Sequence, residues 1–362
     1  MGCSKDSDSP NNPVKDPAIT AAQQAAIIKS IDSLLLAENI PGVAFGIWRG
    51  SKEPVLIARG LADVAAGRAL TVNDRFRIAS NTKMFTAQVI LQLADSQKLS
   101  LDEPISTWFT NVPNAHSITV RQLLRMESGL GDYASDNSFF PTYVNSPTNA
   151  WSRSTMYNMI CGIATEFNPG DSCVYCNSNY YLLGMIIEKV TGHKVEDEIR
   201  NRIIIPWGLT NTEFPTTDQI TGTYSHGYRD HQGTINSDVT AVHPSGPWTG
   251  GAMISTLEDM KTFVQSINQG RGLSDSMKQQ RFSWRAMAPH MWYGLGAMNW
   301  AGLRGHNGAI LGFNSFIVYL PAWDLTYVAF VNKCTEVDNK YYINYVCGII
   351  FQNVFGSAYP FE

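Results

Sequence analysis

Residues 76–83 read Phe76-Arg77-Ile78-Ala79-Ser80-Asn81-Thr82-Lys83, and their reading decides the fold. The first four residues are strand-like. From Asn81 to about residue 97 the pattern is helical, with Phe85, Val89, Leu91 and Leu93 at apolar positions. Ser80 therefore stands where a strand meets a helix. At a helix N-terminus, unpaired backbone N–H groups and the helix dipole favour developing negative charge. Lys83 shares that face, about one turn further on. A serine hydroxyl becomes nucleophilic when a neighbouring base takes its proton. Lysine can be that base if burial and the dipole bring its pKa down from about 10.4. S-x-x-K alone arises by chance about once in a chain of this length. A helix-capping serine beside a surface lysine is therefore the rival reading until other residues join the pair.

Two further constellations join it. Tyr175-Cys176-Asn177 follows the Pro169-Gly170 turn and precedes the helical Tyr181-Leu182-Leu183-Gly184. A phenol beside an ammonium can relay a proton, and an asparagine amide can both donate to and accept from a substrate amide. Gly305-His306-Asn307-Gly308-Ala309 offers glycines that permit close backbone approach and N–H groups for an oxyanion hole. His306 adds a hydrogen bond or a pH-dependent charge. Taken singly, the rival readings are a packed loop tyrosine and a hairpin turn with an exposed histidine.

Strand-like runs occur at 42–48 and 54–60 and again at 293–298, 313–320 and 325–331, with a helix at about 338–354 closing the chain. Between them lie helical segments at 120–126, 155–164, 178–190 and 194–205, and a Thr/Gly/His/Ser/Pro-rich connection at 215–250. Strands at both ends with helices between predict an α/β (α+β) architecture: an antiparallel sheet built from both termini, flanked by helices, with an inserted mainly helical domain. The expected boundaries are a tether at 1–18, a sheet domain at 19–78 and 245–362, and a helical domain at 79–244.

The bulk numbers narrow the function. A net charge of −4 without any basic run speaks against a nucleic-acid partner. No apolar stretch reaches the 18 or so residues of a membrane span. Cys3, followed by a polar Asp/Ser/Pro/Asn-rich tract, resembles the start of a mature bacterial lipoprotein, which predicts a lipidated membrane tether and a cell-envelope location, periplasmic or surface. The alternative is a polar N-terminus without such a role. Cys173-x-x-Cys176 has the spacing of a redox or zinc half-site but lacks a second half. Buried thiols are one reading, and a bridge from Cys161 to one of the pair is another. A zinc enzyme resting on His226, His231 and His243 finds no familiar spacing.

The motifs in the order S-x-x-K, Y-x-N, H-x-G make the chain resemble the penicillin-recognising serine hydrolases, in the branch with class C β-lactamases, D-alanyl-D-alanine carboxypeptidases, D-aminopeptidases and esterases. The likeness runs over about residues 25–355. It includes Phe76–Ser80, Ile118–Leu124 to Ser128-Gly129-Leu130, and Gly250-Gly251-Ala252-Met253-Ile254-Ser255-Thr256 with Asp259. The resemblance implies a β-lactamase/transpeptidase-like fold. It implies that Ser80 is the acylated nucleophile, that Lys83 and Tyr175 share acid and base duty, and that Asn177 holds the substrate amide. His306 and Gly308 would lie on the strand beside the site, among the substrate-binding residues. The N–H groups of Ser80 and Ala309 would form the oxyanion hole. No metal and no cofactor is expected.

His306 stands where β-lactamases carry a lysine, so recognition of a penicillin carboxylate becomes conditional on pH. The S-D-N triplet is broken at Ser237-Asp238-Val239, and Glu166 lacks a class A context. The expected activity is acyl-enzyme hydrolysis of D-alanyl peptides or related small-molecule amides, esters or β-lactams, D-alanyl-D-alanine carboxypeptidase-like. A class C-like β-lactamase, a small-ester esterase and a penicillin-binding sensor without turnover are the alternatives. Cleft walls are expected from 215–250, with Trp248, Trp292 and Trp300 as candidate liners. Oligomeric state is not legible.

Overall fold

The computed structural model describes residues 18–334 and 341–356. Cys3 and residues 1–17 of the expected tether lie outside the described residues.

Nine strands form one antiparallel sheet in the order β3-β2-β1-β13-β12-β11-β10-β9-β8. The N-terminal part gives β1 (Gly42–Arg49), β2 (Val55–Asp63) and β3 (Arg68–Ala69). Two short pairs lie apart from it: β4 (Phe76–Arg77) with β7 (Ile254–Ser255), and β5 (Tyr228–His231) with β6 (Thr234–Asp238). The C-terminal part gives β8 (Arg285–Ala288), β9 (Met291–Tyr293), β10 (Met298–Trp300), β11 (Leu303–Ile310), β12 (Phe313–Leu320) and β13 (Leu325–Val331). The two ends of the chain meet where β1 pairs with β13, with Val43 opposite Val331 and Arg49 opposite Leu325.

Every residue of β1 and β13 is buried, so helices cover both faces of the sheet centre. Successive strand side chains point to opposite faces. Tyr327 packs edge-on against Phe351 of the helix Tyr342–Phe355. Its neighbour Thr326 accepts from Gln265 of the helix Leu257–Gln269 on the other face. The helix Ala21–Ala37 packs beside Tyr342–Phe355 and starts with a capping box, Thr20 to Gln23. The remaining helices fill the middle of the chain, chiefly Thr82–Asp95, Arg153–Gly162 and Asn177–Thr191.

Three expectations change. The 293–298 run is interrupted, because Gly294 to Ala297 form the turn between β9 and β10. The segment 303–310, which the resemblance implies is a strand at His306 and Gly308, is β11. The 215–250 connection carries the β5–β6 hairpin and the short helix Trp248–Gly251. Cys161, Cys173 and Cys176 are all free, so the proposed bridge is not formed. Cys173 and Cys176 instead donate to the backbone oxygens of Arg125 (3.4 Å) and Leu130 (3.3 Å), and burial pushes each thiol up to about 12. No helix among the described residues is long and apolar enough to cross a membrane.

Candidate active site

The chain leaves β4, passes through Ile78 and enters a single tight turn at Ala79–Asn81 before the helix Thr82–Asp95. Ala79 has φ of +50°, a left-handed conformation that a side chain with a Cβ rarely adopts. The surroundings hold it there. Thr82 Oγ1 donates to Ala79 O at 2.7 Å and accepts from the Met253 amide at 3.1 Å. Ser315 Oγ donates to Ile78 O at 2.8 Å, and Asn81 Nδ2 donates to both that oxygen (3.1 Å) and Ser315 Oγ (2.8 Å). Strand β11 presses on the same turn. A Cβ on Gly308 would lie 2.6 Å from Ile78 O and 2.9 Å from Ala79 Cβ, so only glycine admits this approach. Ser80 is thereby presented, half-buried, at the floor of a cleft.

Lys83 follows one turn later and is fully buried. Its Nζ lies 3.2 Å from Ser80 Oγ, 2.7 Å from Asn177 Oδ1 and 2.8 Å from Gly250 O. Burial lowers its pKa from 10.5 to about 7, opposed by the charge of Asp132 and, less, by Cys176. A neutral amine has two N–H donors and one lone pair. The two carbonyl oxygens account for both donors, which leaves the lone pair for the Ser80 hydroxyl.

Tyr175 comes from the loop ahead of the helix Asn177–Thr191. Lys83 Nζ is 4.9 Å from its ring centroid. Its hydroxyl is buried and makes no hydrogen bond of normal geometry among the described residues. Burial drives this phenol well above 10, with the Ser80 hydroxyl pulling the other way. The group that can accept a proton near neutral pH is therefore Lys83, and Tyr175 stays a phenol that can donate.

His306 is corrected. Rather than meeting substrate, its side chain is wholly buried behind the site. It packs against the rings of Tyr175 and Tyr293 at 5.9 and 5.8 Å, and its Nε2 bonds with Tyr293 Oη at 3.1 Å. Burial, then the nearby Lys83 charge, lowers its pKa to about 3, so the ring is neutral throughout the ordinary range. On β11, Asn307, Gly308 and Ala309 reach the cleft, while Gly305 and His306 do not line it. Ala309 and Ser80 thus line the same cleft.

Sequence reasoning missed Asp132. It accepts from the Asn177 amide (3.0 Å) and Ala134 amide (3.2 Å) through Oδ1, and from Asn177 Nδ2 (2.9 Å) through Oδ2. The nearest signal was Gly131-Asp132-Tyr133 just after the quoted Ser128-Gly129-Leu130, where an aspartate opens a short turn. The cleft, about 720 Å³, is also walled differently from expectation. One end is aromatic, with Tyr133, Phe139, Phe140 and Tyr143 beside Pro247. The other holds Met287, Met291 and Met298 near Tyr175. From 215–250 come only Pro247 and Gly250, and none of Trp248, Trp292 and Trp300 lines it. No group of three or more His, Cys, Asp or Glu among the described residues could hold a metal. His226 instead bonds with Asp238 at 2.7 Å, and His243 with Ser245 at 2.8 Å.

A serine hydroxyl 3.2 Å from a buried amine is an arrangement able to support acyl transfer. The profile of the beta-lactamase family matches residues 22–345, and the chain belongs to that family. Protein flp of Staphylococcus aureus (strain N315) is 27% identical over 88% of this chain, and the match spans 65% of flp. A D-stereospecific amidohydrolase from Streptomyces sp. superposes with a TM-score of 0.80 at 27% identity, covering 94% of this chain and all of that one. The D-amino acid amidase of Ochrobactrum anthropi SV3, complexed with L-phenylalanine amide, gives a TM-score of 0.81 at 25% identity, covering 93% of this chain and 99% of that one. The chain is thus a member of the beta-lactamase family with an antiparallel sheet and a helical insert, and it spans about two thirds or less of the length of the curated relatives it matches.

Proposed function

We propose that the chain is a serine hydrolase that forms an acyl-enzyme on Ser80 from small amides or esters of D-amino acids, D-alanyl peptides included. The observation that carries the reading is Lys83: buried, lowered to about 7, its donors satisfied and its Nζ 3.2 Å from Ser80 Oγ. Ser80 attacks the carbonyl while Lys83 takes its proton. The oxyanion is held by the main-chain N–H groups of Ser80 and Ala309. Collapse expels the amine, which receives a proton from Lys83 with the Tyr175 phenol as donor at the leaving side. Water then attacks the acyl carbonyl as Lys83 takes its proton, and the Ser80 Oγ–carbon bond breaks as Lys83 returns that proton to Oγ, releasing the acid.

The cleft chemistry bears on substrate. Its ends are methionine-rich and aromatic, which suits an apolar side chain. His306, buried and neutral, offers no cation to a carboxylate, so uncharged amides and esters are favoured over penicillins and C-terminal carboxylates. The D-stereospecific amidohydrolase and D-amino acid amidase among the similar structures agree with that preference. β-Lactam hydrolysis is the second reading, supported by the family match.

The test is to offer wild type and Ser80→Ala a panel of D- and L-phenylalanine amide, D-alanyl-D-alanine, a short p-nitrophenyl ester and a fluorescent penicillin. Product is measured by chromatography and Ser80 label by intact mass. Turnover of the D-amide by wild type alone is expected. Equal activity of Ser80→Ala, or wild type inert to the whole panel and to a fluorophosphonate probe, overturns the reading.

A further inference from the structure

The helix Asn177–Thr191 begins without a side-chain cap of its own, since Cys176 makes none. Asp132, 45 residues earlier in the chain, supplies it from another segment by accepting the Asn177 amide at 3.0 Å. The same carboxylate accepts Asn177 Nδ2 at 2.9 Å. An amide group has distinct ends, so fixing Nδ2 on Asp132 fixes Oδ1 on the opposite side, where it meets Lys83 Nζ at 2.7 Å. Three N–H groups converge on the Asp132 carboxyl. Burial raises the Asp132 carboxyl above its usual range, while the Ala134 and Asn177 N–H groups and the Lys83 charge pull it back. A protonated carboxyl would have no acceptor among these partners, so it is the hydrogen-bond geometry that favours the ionised form. A continuous chain results: carboxylate, amide, amine, hydroxyl.

We propose that Asp132 is a positioning residue for the Ser80–Lys83 pair, orienting Asn177 so that the Lys83 lone pair faces Ser80 and stabilising the ammonium formed when Lys83 takes the serine proton. The inference rests on Lys83 being the base, as argued above. In general terms it is the role a carboxylate has behind a histidine base, here relayed through a side-chain amide.

Among the described residues, the titratable groups that face Lys83 are Tyr175, Tyr180, Cys176, His306 and Asp132. Burial raises the two phenols and the Cys176 thiol, and lowers His306, so all four are neutral near pH 7. Asp132 is then the formal charge that Lys83 feels. Its removal lowers the Lys83 pKa further, because the ammonium loses its counter-charge.

The experiment is the pH profile of kcat/KM for D-phenylalanine amide, or of fluorophosphonate labelling of Ser80, in wild type, Asp132→Asn and the exchange variant Asp132→Asn/Asn177→Asp. For Asp132→Asn, kcat falls about 10²-fold or more with KM little changed, and the acidic limb moves down by about one pH unit. In the exchange variant the carboxylate adjoins Lys83 directly, and the limb moves above the wild-type position. Thermal unfolding is followed in parallel. If Asp132→Asn does not fold, the exchange variant, which keeps the charge, carries the same readout. An acidic limb unmoved in either folded variant overturns the proposal, as does a limb moved in the opposite sense. Its failure is distinguishable from failure of the nucleophile assignment, which Ser80→Ala reports separately: a dead Ser80→Ala with an unshifted Asp132→Asn sinks the positioning role alone.

Discussion

Replacing Gly308 by alanine asks how tightly the oxyanion strand must sit against the nucleophile. A Cβ there would lie 2.4 Å from Ser315 Oγ, 2.6 Å from Ile78 O and 2.9 Å from Ala79 Cβ. Ser315 cannot simply turn away, because its hydroxyl donates to Ile78 O and accepts from Asn81. Ile78 O belongs to the main chain just ahead of Ser80. Restoring ordinary contact with that oxygen needs β11 and the Ser80 turn to part by about 0.8 Å. A displacement of that size at reacting groups costs about 10²-fold, comparable to losing one oxyanion donor. The overpacking itself costs about 1–3 kcal/mol of stability. Steady-state hydrolysis of D-phenylalanine amide should show kcat/KM down about 100-fold, mostly in kcat, with a lower Tm. A variant that keeps more than about a third of wild-type kcat/KM at unchanged Tm would refute the idea that Gly308 sets this approach.

Three other outcomes are expected. The kcat/KM of wild type should rise about tenfold between pH 6 and 8 as Lys83, at about 7, loses its proton; His306, at about 3, adds no limb there, and a flat profile would dismiss Lys83 as the base. Lys83→Met should change the pH dependence of stability, read by urea unfolding. The folded protein refuses a proton that the unfolded chain binds between about 7 and 10.5, so wild type carries a penalty of roughly 5 kcal/mol below pH 7 that fades as pH rises through this window; parallel wild-type and variant curves would contradict it. Tyr175→Phe should lower kcat about 10²-fold or more without loss of Tm, since the hydroxyl removed is buried and makes no hydrogen bond of normal geometry among the described residues. A clear fall in Tm would show that the phenol is structural.

The parts of this protein that were readable in the sequence are those whose cause is local. Ser80 and Lys83 are one helical turn apart, so spacing alone brings them together. The runs at 313–320 and 325–331 match β12 and β13, because each is rich in β-branched and aromatic residues. β11 was implied by the resemblance and not by its own pattern: Gly305, His306, Asn307 and Gly308 have poor strand propensity, and it is the flanking strands β10 and β12 that hold them extended. His306 was placed among the substrate-binding residues because the resemblance implied it. Strand alternation instead turns its ring toward Tyr293 and Tyr175. Asp132 was invisible because its meaning lies in Asn177, which is distant in sequence. The methionine wall was invisible too, since Met287 and Met291 fall in a stretch without a strand reading and Met298 only ends one, and they meet when β8 to β10 are folded beside the site.

The pairing of β1 with β13 has a consequence for biosynthesis. β1 leaves the ribosome long before β13, its neighbour on one side. Until then, β1 can pair only with β2, and its other edge and apolar faces wait for partners. Such non-local pairing is slow to close and leaves strand edges open to other chains. The nascent protein therefore holds its future sheet centre unprotected through the whole stretch of synthesis between β1 and β13, and the strands that shield it are the ones that flank β11 beside Ser80. Catalytic competence and protection from aggregation should be acquired together, late, and only once the C-terminal strands have emerged.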